Sequence, residues 1–326
     1  MRHIRLLALA VLALLVVAAD PWPTIQQAFT ALITPGPSPG ACPALPPSPD
    51  YYTGGGEAAA IAAINHARAS EGLAPLTLPN NYWRLPQAQQ QFVLVNLERA
   101  SRGLSPLRWD TTLAQVAAAY SRQMAQLHFF SHTSPISGDF QDRLNANPRI
   151  ANHYQSIAEN IAGNWAPAAG AIYEYLYNDA AEHCAHRQNI LNPQFNVIGI
   201  GVASGGPWHT LSAQELLASN PDNPYITSTP ADTTPPSIRL SGAISAPAAR
   251  LHIIAAASDN QGIANIAWYL DGLGQRYHQG TDWTLYAETL TPGAHEITAY
   301  AVDQSQNYAT ATLSFTVGKA GITLNR

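Results

Sequence analysis

Apolar residues recur with a helical period in the middle of the chain. They follow Asp110, a good N-cap residue, and predict a helix that ends near His128. Three further helices are predicted over residues 140–144, 168–177 and 180–191. Between the first two of these, we expect a loop that ends in Ala158–Ile161. Two strands follow the helices, over 197–203 and 208–213, and this order indicates an α+β domain.

Beyond residue 236 the pattern changes to short strands at regular spacing. Turn signals such as Asp271-Gly272 and Pro292-Gly293 separate the strands. We therefore expect a β-sandwich over residues 237–318, with Trp268 in its core. The predicted strands cover residues 238–241, 251–257, 263–270, 283–287, 295–302 and 308–317.

A thirteen-residue stretch occurs twice in the first half of the chain. Ile64–Leu76 is echoed by Val95–Leu107, and eight of the thirteen positions are identical. Each copy is typical of a helix that ends at a glycine, followed by a leucine that packs back and a proline that prevents continuation. Two copies indicate a local duplication and not a solenoid.

The composition supports a folded protein and excludes several classes. The 326 residues are 46% apolar and 11% charged, with a net charge of -5. This length favours two folded units. The sparse acidic charge argues against a nucleic-acid partner. Collagen, coiled coils, multi-pass membrane proteins and disulfide-dense miniproteins are also excluded.

The first 19 residues have the pattern of an export signal. Arg2 and Arg5 precede the apolar run Leu6–Ala19, and cleavage is expected before Asp20. The alternative is an uncleaved membrane anchor, although about 14 apolar residues are short against the roughly 20 that a spanning helix needs. In both cases the folded part lies outside the cytoplasm, and only the anchor would contact a membrane. The remaining expected segments are a Pro/Gly-rich linker over 20–56, a helical extension over 57–86 and a second linker over 220–236.

The chain has two cysteines, Cys42 and Cys184. In an oxidising compartment they could form one disulfide that ties the proline-rich leader to the main domain. Two idle thiols are the alternative, since no C-x-x-C spacing indicates metal or redox chemistry.

Five groups of residues in the middle region follow one another in a fixed order. In this order they resemble the CAP superfamily (cysteine-rich secretory, antigen 5 and pathogenesis-related proteins), specifically its bacterial SCP-like extracellular branch. The resemblance spans residues 87–213, roughly 40% of the chain. The groups are Asn96-x-x-Arg99 with Gly103-Leu104-x-Pro106-Leu107-x-Trp109, Phe130-Ser131-His132, Glu159-Asn160-Ile161, His186-Arg187-x-Asn189-Ile190-Leu191, and Ile198-Gly199-Ile200-Gly201.

This resemblance implies an α-β-α sandwich over residues 87–219, with a cleft that collects two histidines and two acidic residues. His132 matches the first histidine and His186 the second. Glu159 matches the carboxylate of a Gly-Glu-Asn signature, in which Ala158 stands here in place of the glycine.

The residue at the fourth cleft position is left open by the sequence. In the family pattern an aromatic residue lies three positions before it, and Tyr175 followed by Asn178 fits this frame. Asn178 would leave the site one carboxylate short. Asp179 or Glu182 could supply the missing charge from the same helix.

The cleft residues allow two kinds of chemistry. Two neutral imidazoles and one or two carboxylates can hold a divalent ion such as Zn²⁺, with His132 and His186 as the metal ligands. Alternatively, the carboxylates hold the histidines in one tautomer and make a polar, pH-responsive cleft without metal. The sequence contains no G-x-S-x-G, H-E-x-x-H or glycine-rich phosphate motif.

The C-terminal strands resemble bacterial Ig-like repeats. Such modules act as spacers or as adhesive surfaces, and we expect a spacer. Asp259 and Asp303 stand where turns commonly have aspartate, and calcium ligation is the alternative. The matching segments are 257–263, 290–295 and 301–303.

Together these features predict a secreted or envelope-associated bacterial protein that binds an extracellular ligand through the His/Glu cleft. The ligand would be a lipid or sterol, a cell-wall glycan or another protein. One alternative is a metal-dependent hydrolase, such as a peptidase, in which Glu159 acts as the base on metal-bound water. Another alternative is an adhesin that acts through the Ig-like module.

Overall fold

The computed structural model describes residues 55–163, 168–222, 232–245 and 249–325. The expected export signal, Cys42 and nearly all of the first linker lie outside these residues. None of the described helices is long and apolar enough to cross a membrane. The described chain forms two units that pack against each other.

The first unit combines helices with one mixed sheet. Its third helix begins where the Asp110 carboxylate accepts a hydrogen bond from Leu113 N at 2.8 Å, and it ends at His128, which confirms the prediction from apolar spacing. The described helices are α1 (Gly56–Ser70), α2 (Gln87–Ser101), α3 (Thr111–Leu127), α4 (Phe140–Asn145), α5 (Ala169–Tyr177) and α6 (Ala185–Leu191). The strands are β1 (Arg108–Trp109), β2 (Tyr154–Gly163), β3 (Val197–Ser204) and β4 (Thr210–Ser219).

The four strands lie in the order β1-β3-β4-β2, and the β1–β3 pair is parallel while the other two pairs are antiparallel. Helices α3 and α4 cover one face, and α1, α2, α5 and α6 cover the other. This confirms the three-layer α-β-α arrangement. Helix α3 lies very close to β3, because a Cβ on Gly201 would come within 2.0 Å of the helix backbone.

Two local predictions are wrong. The loop predicted to end in Ala158–Ile161 is the edge strand β2, in which five consecutive residues are buried. Because helices cover both faces of this strand, the period-two alternation of a half-exposed strand is missing. The helix predicted over 180–191 is interrupted, since Ala180–Glu182 is a 3₁₀ turn and His183 and Cys184 have φ values of 53° and 58°. Non-glycine residues rarely adopt this left-handed region, so apolar spacing does not reveal the break.

The sequence duplication is also a structural one. Asn65 Oδ1 accepts a hydrogen bond from Leu76 N at 2.8 Å, and Asn96 Oδ1 accepts the equivalent bond from Leu107 N at the same distance. An arginine in each copy donates through Nε to the carbonyl six residues further on. Helix α1 packs in the same apolar core as α2 and α5, so both copies belong to the first unit.

The second unit is built from two antiparallel sheets. Trp268 is fully buried between them, as predicted. The sheets have the strand orders β12-β11-β10-β7-β8 and β5-β6-β9, and β12 lies beyond the end expected at residue 318. The strands are β5 (Ser237–Ser245), β6 (Arg250–Ser258), β7 (Ile263–Leu270), β8 (Arg276–Gln279), β9 (Asp282–Tyr286), β10 (Gly293–Asp303), β11 (Tyr308–Gly318) and β12 (Gly321–Leu324).

The two units meet at a small apolar cluster. Ile136 of the first unit is fully buried against Ala267, Tyr269 and Val302 of the second. Since both units contribute buried side chains, this contact is part of the fold.

Candidate functional site

His132 lies on a loop that is held at the end of α3. The helix ends at His128, whose φ of 55° turns the chain away. The Tyr120 hydroxyl donates to the carbonyl of Ser131, and Arg143 Nη1 donates to the carbonyl of His132 at 3.1 Å. The backbone is therefore fixed at two adjacent positions, while the imidazole side chain is 47% exposed.

Glu159 reaches the cleft from β2. Its fully buried carboxylate places Oε1 2.7 Å from His132 Nδ1, and its Oε2 contacts Arg143 Nη2. Because a carboxylate only accepts, His132 donates through Nδ1 and keeps its Nε2 lone pair available. Arg143 also lies 3.4 Å over the Tyr120 ring. Burial opposes the charge of Arg143, but the neighbouring Glu159 outweighs this effect and raises its pKa.

A second acid, Glu215, lies directly behind Glu159 and is missing from the sequence prediction. The two residues are opposite each other in the β2–β4 pair. Glu215 is fully buried, and among the described residues no donor group reaches either of its carboxylate oxygens. Burial and the charge of Glu159 raise the pKa of Glu215 well above its ordinary 4.5, so Glu215 keeps its proton to a higher pH than an exposed glutamate does. One feature of the sequence points to Glu215. It alternates with Leu211, Ala213 and Leu217, which face the core from β4, so it lies on the same face of the strand as these residues.

His186 approaches from the opposite side of the sheet, on the first turn of α6. Its Nδ1 lies 2.6 Å from Asp179 Oδ1, and the other Asp179 oxygen accepts from Arg187 N at 2.9 Å. The His186 ring packs on Tyr175 with a centroid separation of 5.2 Å. Asn160 Nδ2 donates to the His186 carbonyl at 3.4 Å. The arrangement repeats that of the first histidine, in which an acid holds Nδ1 and leaves Nε2 open.

Three residues were candidates for the fourth cleft position, and of these Asp179 contacts His186. Asp179 is buried, whereas Asn178 and Glu182 are exposed. Asn178 donates instead to a glutamate one turn earlier in α5, at 2.7 Å. The left-handed residues after Glu182 fold the chain back over Asp179, whose carbonyl accepts from Cys184 N at 2.8 Å.

Tyr175 lies beside the second histidine–acid pair. Its side chain is buried, and its hydroxyl lies 3.3 Å from Ser212 Oγ. Burial raises the pKa of the phenol, and the charges of Glu159 and Asp179 raise it further because both acids lie near the ring. That the two pairs line a single cleft stays the expectation from the family resemblance.

The donor geometry limits how this cleft can hold a metal ion. A carboxylate on Nδ1 with Nε2 left open is the usual arrangement of a metal-binding histidine. Within the described ranges, however, no three of the cleft's histidines and acids bring ligand atoms within 4.8 Å of one another. His132 and His186 stay the ligands expected from the sequence, and three of these residues can bind one ion only if side chains move.

A group of acids with metal-ligand spacing lies outside the cleft. Asp232, Asp259 and Asp303 place ligand atoms within 4.8 Å of one another. Asp303 also accepts hydrogen bonds from the backbone of Ser305 and Asn307 at 2.8 and 2.9 Å, as expected of a turn aspartate. Burial raises the pKa of Asp303 to about 6, and the two neighbouring acids contribute in the same direction.

Cys184 is buried and disulfide-bonded. The sequence contains one other cysteine, Cys42, which lies outside the described residues. Because Cys184 precedes His186 by two residues, the disulfide is attached to the turn that carries the second cleft histidine.

Comparison with known proteins identifies the first unit. Residues 92–214 match the cysteine-rich secretory protein family, CAP. This part of the chain thus has the sequence of a CAP domain, as the order of its motifs indicated. The two antiparallel sheets of the second unit are consistent with an Ig-like domain.

Two curated relatives come from Bacillus subtilis. The uncharacterised protein YkwD is 35% identical over 116 residues, which cover 35% of this chain and 42% of YkwD. The uncharacterised membrane protein YlbC is 31% identical over 137 residues, which cover 40% of this chain and 37% of YlbC. The chain thus spans less than half the length of either relative. A solved extracellular protein containing an SCP domain, from Bacillus anthracis, is 32% identical over 45% of each chain, with a TM-score of 0.36.

Proposed function

We propose that the protein works outside the cytoplasm, secreted or attached to the cell envelope, and binds an extracellular ligand through the cleft. The observation that carries this proposal is the pairing of His132 with Glu159 and of His186 with Asp179 through Nδ1. Each pairing holds an imidazole in one orientation and leaves its Nε2 available to a ligand. A few fixed polar groups beside aromatic side chains are typical of ligand sites.

An aromatic pair, exposed at Phe130 and half-buried at Trp208, adds an apolar surface two residues before His132. Phe130 is 41% exposed and packs on Trp208 with a centroid separation of 5.4 Å. Aromatic rings beside hydrogen-bonding groups suit a ligand that has both an apolar and a polar face. A lipid or sterol, a cell-wall glycan and a protein segment all meet this description.

The contacts around His132 support binding more than covalent catalysis. Ser131 accepts a hydrogen bond from the backbone N–H of Thr133 at 3.1 Å, and the Nδ1 of His132 is engaged by Glu159. A nucleophile and its base must lie within hydrogen-bond reach of each other. Ser131 and His132 are neighbours in sequence but do not form such a pair through these contacts.

The location outside the cytoplasm is supported by the signal pattern of residues 1–19 and by the disulfide at Cys184, since disulfides persist in oxidising compartments. Fractionation of the producing cell and N-terminal sequencing of the recovered protein test this location. Recovery of the full-length chain from the cytoplasm would contradict it.

Binding can be tested with the full chain against three probes: purified cell wall, phospholipid vesicles and sterol-containing vesicles. We expect His132→Ala and His186→Ala each to weaken binding to one probe by about tenfold or more, as for loss of a hydrogen bond to a ligand. His252→Ala is the matched control, because His252 pairs with Asp282 at 3.1 Å on the second unit. Binding that both cleft variants retain would contradict the proposal and would point to the Ig-like domain.

A metal-dependent hydrolase is the second candidate, favoured by the open Nε2 atoms of the two histidines. In that case His132 and His186 would hold the ion, which would activate water, and Glu159 would act as the base. Metal analysis of the purified protein and turnover of a peptide library with and without chelator test this candidate. Chelator-sensitive turnover that Glu159→Gln abolishes would favour it over binding alone.

A further inference from the structure

The loop that carries His132 lies between the two domains. Residues 129–139 leave the end of α3, and their outer side faces β7 of the Ig-like domain. Ile136 in this loop is fully buried, although loops ordinarily lie on the surface. Its apolar neighbours Ala267, Tyr269 and Val302 all belong to the second domain. The loop is therefore covered by the Ig-like domain.

Two hydrogen bonds from β7 hold the outer side of the loop. The Tyr269 hydroxyl donates to the carbonyl of Pro135, and Asn265 Nδ2 donates to the carbonyl of Ile136 at 2.8 Å. Both acceptors are backbone groups, so the Ig-like domain fixes the path of the loop and not only its side chains.

The inner side of the loop is held by a buried glutamine that also reaches the second domain. Gln123 Oε1 accepts hydrogen bonds from the hydroxyls of Ser134 and Ser137 at 2.8 and 2.9 Å. Its Nε2 donates to the carbonyl of Gln306 at 2.9 Å. One side chain of α3 thus binds the loop and the Ig-like domain at the same time.

Arg143 contacts both the loop and the His132–Glu159 pair. Its Nη1 donates to the carbonyls of His132 and Gly138 at 3.1 and 2.8 Å, and its Nη2 contacts Glu159. Its own carbonyl accepts from Gln306 Nε2 at 3.4 Å. A continuous series of contacts therefore runs from the Ig-like domain to the His132–Glu159 pair.

We propose that the Ig-like domain positions one wall of the CAP cleft, with Asn265, Tyr269 and Gln306 as positioning residues that hold the 129–139 loop so that His132 faces Glu159. This role goes beyond the proposed function, because it holds for any ligand of the cleft. It differs from the spacer role expected from the sequence, since a spacer leaves the cleft unchanged.

The test uses the full chain and changes only the Ig-like side of the interface. In the double variant Asn265→Ala/Tyr269→Phe, both outer hydrogen bonds are lost and every residue of the CAP domain is kept. We expect amide exchange in residues 132–138 to rise about tenfold, as for the loss of two hydrogen bonds, while β3 and β10 stay protected. We also expect the nitrogen NMR signature of His132 with a protonated Nδ1 to weaken, because the ring leaves Glu159 more often.

Tyr286→Phe is the matched control, since Tyr286 is an exposed tyrosine on β9 in the other sheet. Tyr269→Phe alone provides a milder variant if the double variant does not fold, and it should change both signals in the same direction by a smaller factor. Wild-type exchange in 132–138 and an unchanged His132 signature in Tyr269→Phe and the double variant would overturn the proposal. Equal effects of Tyr269→Phe and Tyr286→Phe would also overturn it, because the effect would not depend on the interface.

Discussion

The two histidine–acid pairs of the cleft have nearly the same geometry but different supports. His186 and Asp179 are seven residues apart, and one short turn joins them. His132 and Glu159 are 27 residues apart and come from a loop and a strand. The first pair is therefore supported by its own stretch of chain, and the second by the packing of distant segments. The similar Nδ1–oxygen distances of 2.6 and 2.7 Å do not imply equal sensitivity to substitution.

The charge environment also differs between the two pairs. Glu159 lies next to a second buried acid, Glu215, and a buried arginine, Arg143. Asp179 instead accepts hydrogen bonds from a backbone N–H and from its histidine. We expect substitutions on the His132 side to change the stability of the whole domain, and substitutions on the His186 side to have local effects.

The largest expected effect is that of Arg143→Ala. This substitution leaves the Glu159 and Glu215 carboxyl groups buried without their positive partner, and loss of one partner of a buried ion pair typically costs about 3–5 kcal/mol. Urea denaturation measures the free energy of unfolding, and Arg84→Ala, at an exposed position, is the control. If Arg143→Ala lowers the free energy of unfolding no more than Arg84→Ala does, the charge of Arg143 does not support the His132 side.

A smaller effect is expected for Asp179→Ala. The substitution removes the acceptors of His186 Nδ1 and Arg187 N, and unsatisfied buried groups cost about 1–3 kcal/mol. The NMR tautomer signature of His186 should change while that of His132 stays the same. Asp222→Ala, at an exposed aspartate, should change neither signal. A simultaneous change at His132 would remove the distinction between the two pairs.

Glu215→Gln tests the raised pKa of Glu215. The pKa of Glu215 is raised in the folded state, so the folded protein retains a proton that the unfolded chain releases above pH 4.5. The free energy of unfolding of the native protein should therefore fall as the pH rises above this value. Glutamine needs no proton to donate to Glu159, so the variant should lose this slope and be about 1 kcal/mol more stable at neutral pH. A free energy of unfolding that depends on pH with the same slope in both proteins between pH 4 and pH 8 would contradict the raised pKa of Glu215.

The smallest effects are expected for Asn178→Ala and Glu182→Gln. Both residues are exposed, and surface substitutions of this kind usually change stability by less than about 0.5 kcal/mol. Neither should change the His186 tautomer signature. A change of that signature in Glu182→Gln would assign the fourth cleft position to Glu182 and weaken the case for Asp179.

Much of the architecture follows from local patterns in the sequence. Apolar spacing after Asp110 predicts α3, and regular turn signals predict most strands of the second unit, because these elements are half exposed and keep their period. Strand β2 and the break at His183 and Cys184 do not follow, because β2 is covered on both faces and non-glycine residues rarely have positive φ.

The sequence alone predicts two folded units and the duplicated helix ends, and it contains the order of motifs that marks the CAP domain. It also named His132, Glu159 and His186 as cleft candidates. The tertiary structure adds that Asp179 holds His186, that Glu215 lies behind Glu159, and that the second unit covers the loop of His132. The physical reason is that these contacts depend on strand register, on a left-handed turn and on a domain interface, which bring together residues whose local sequence carries no sign of their partners.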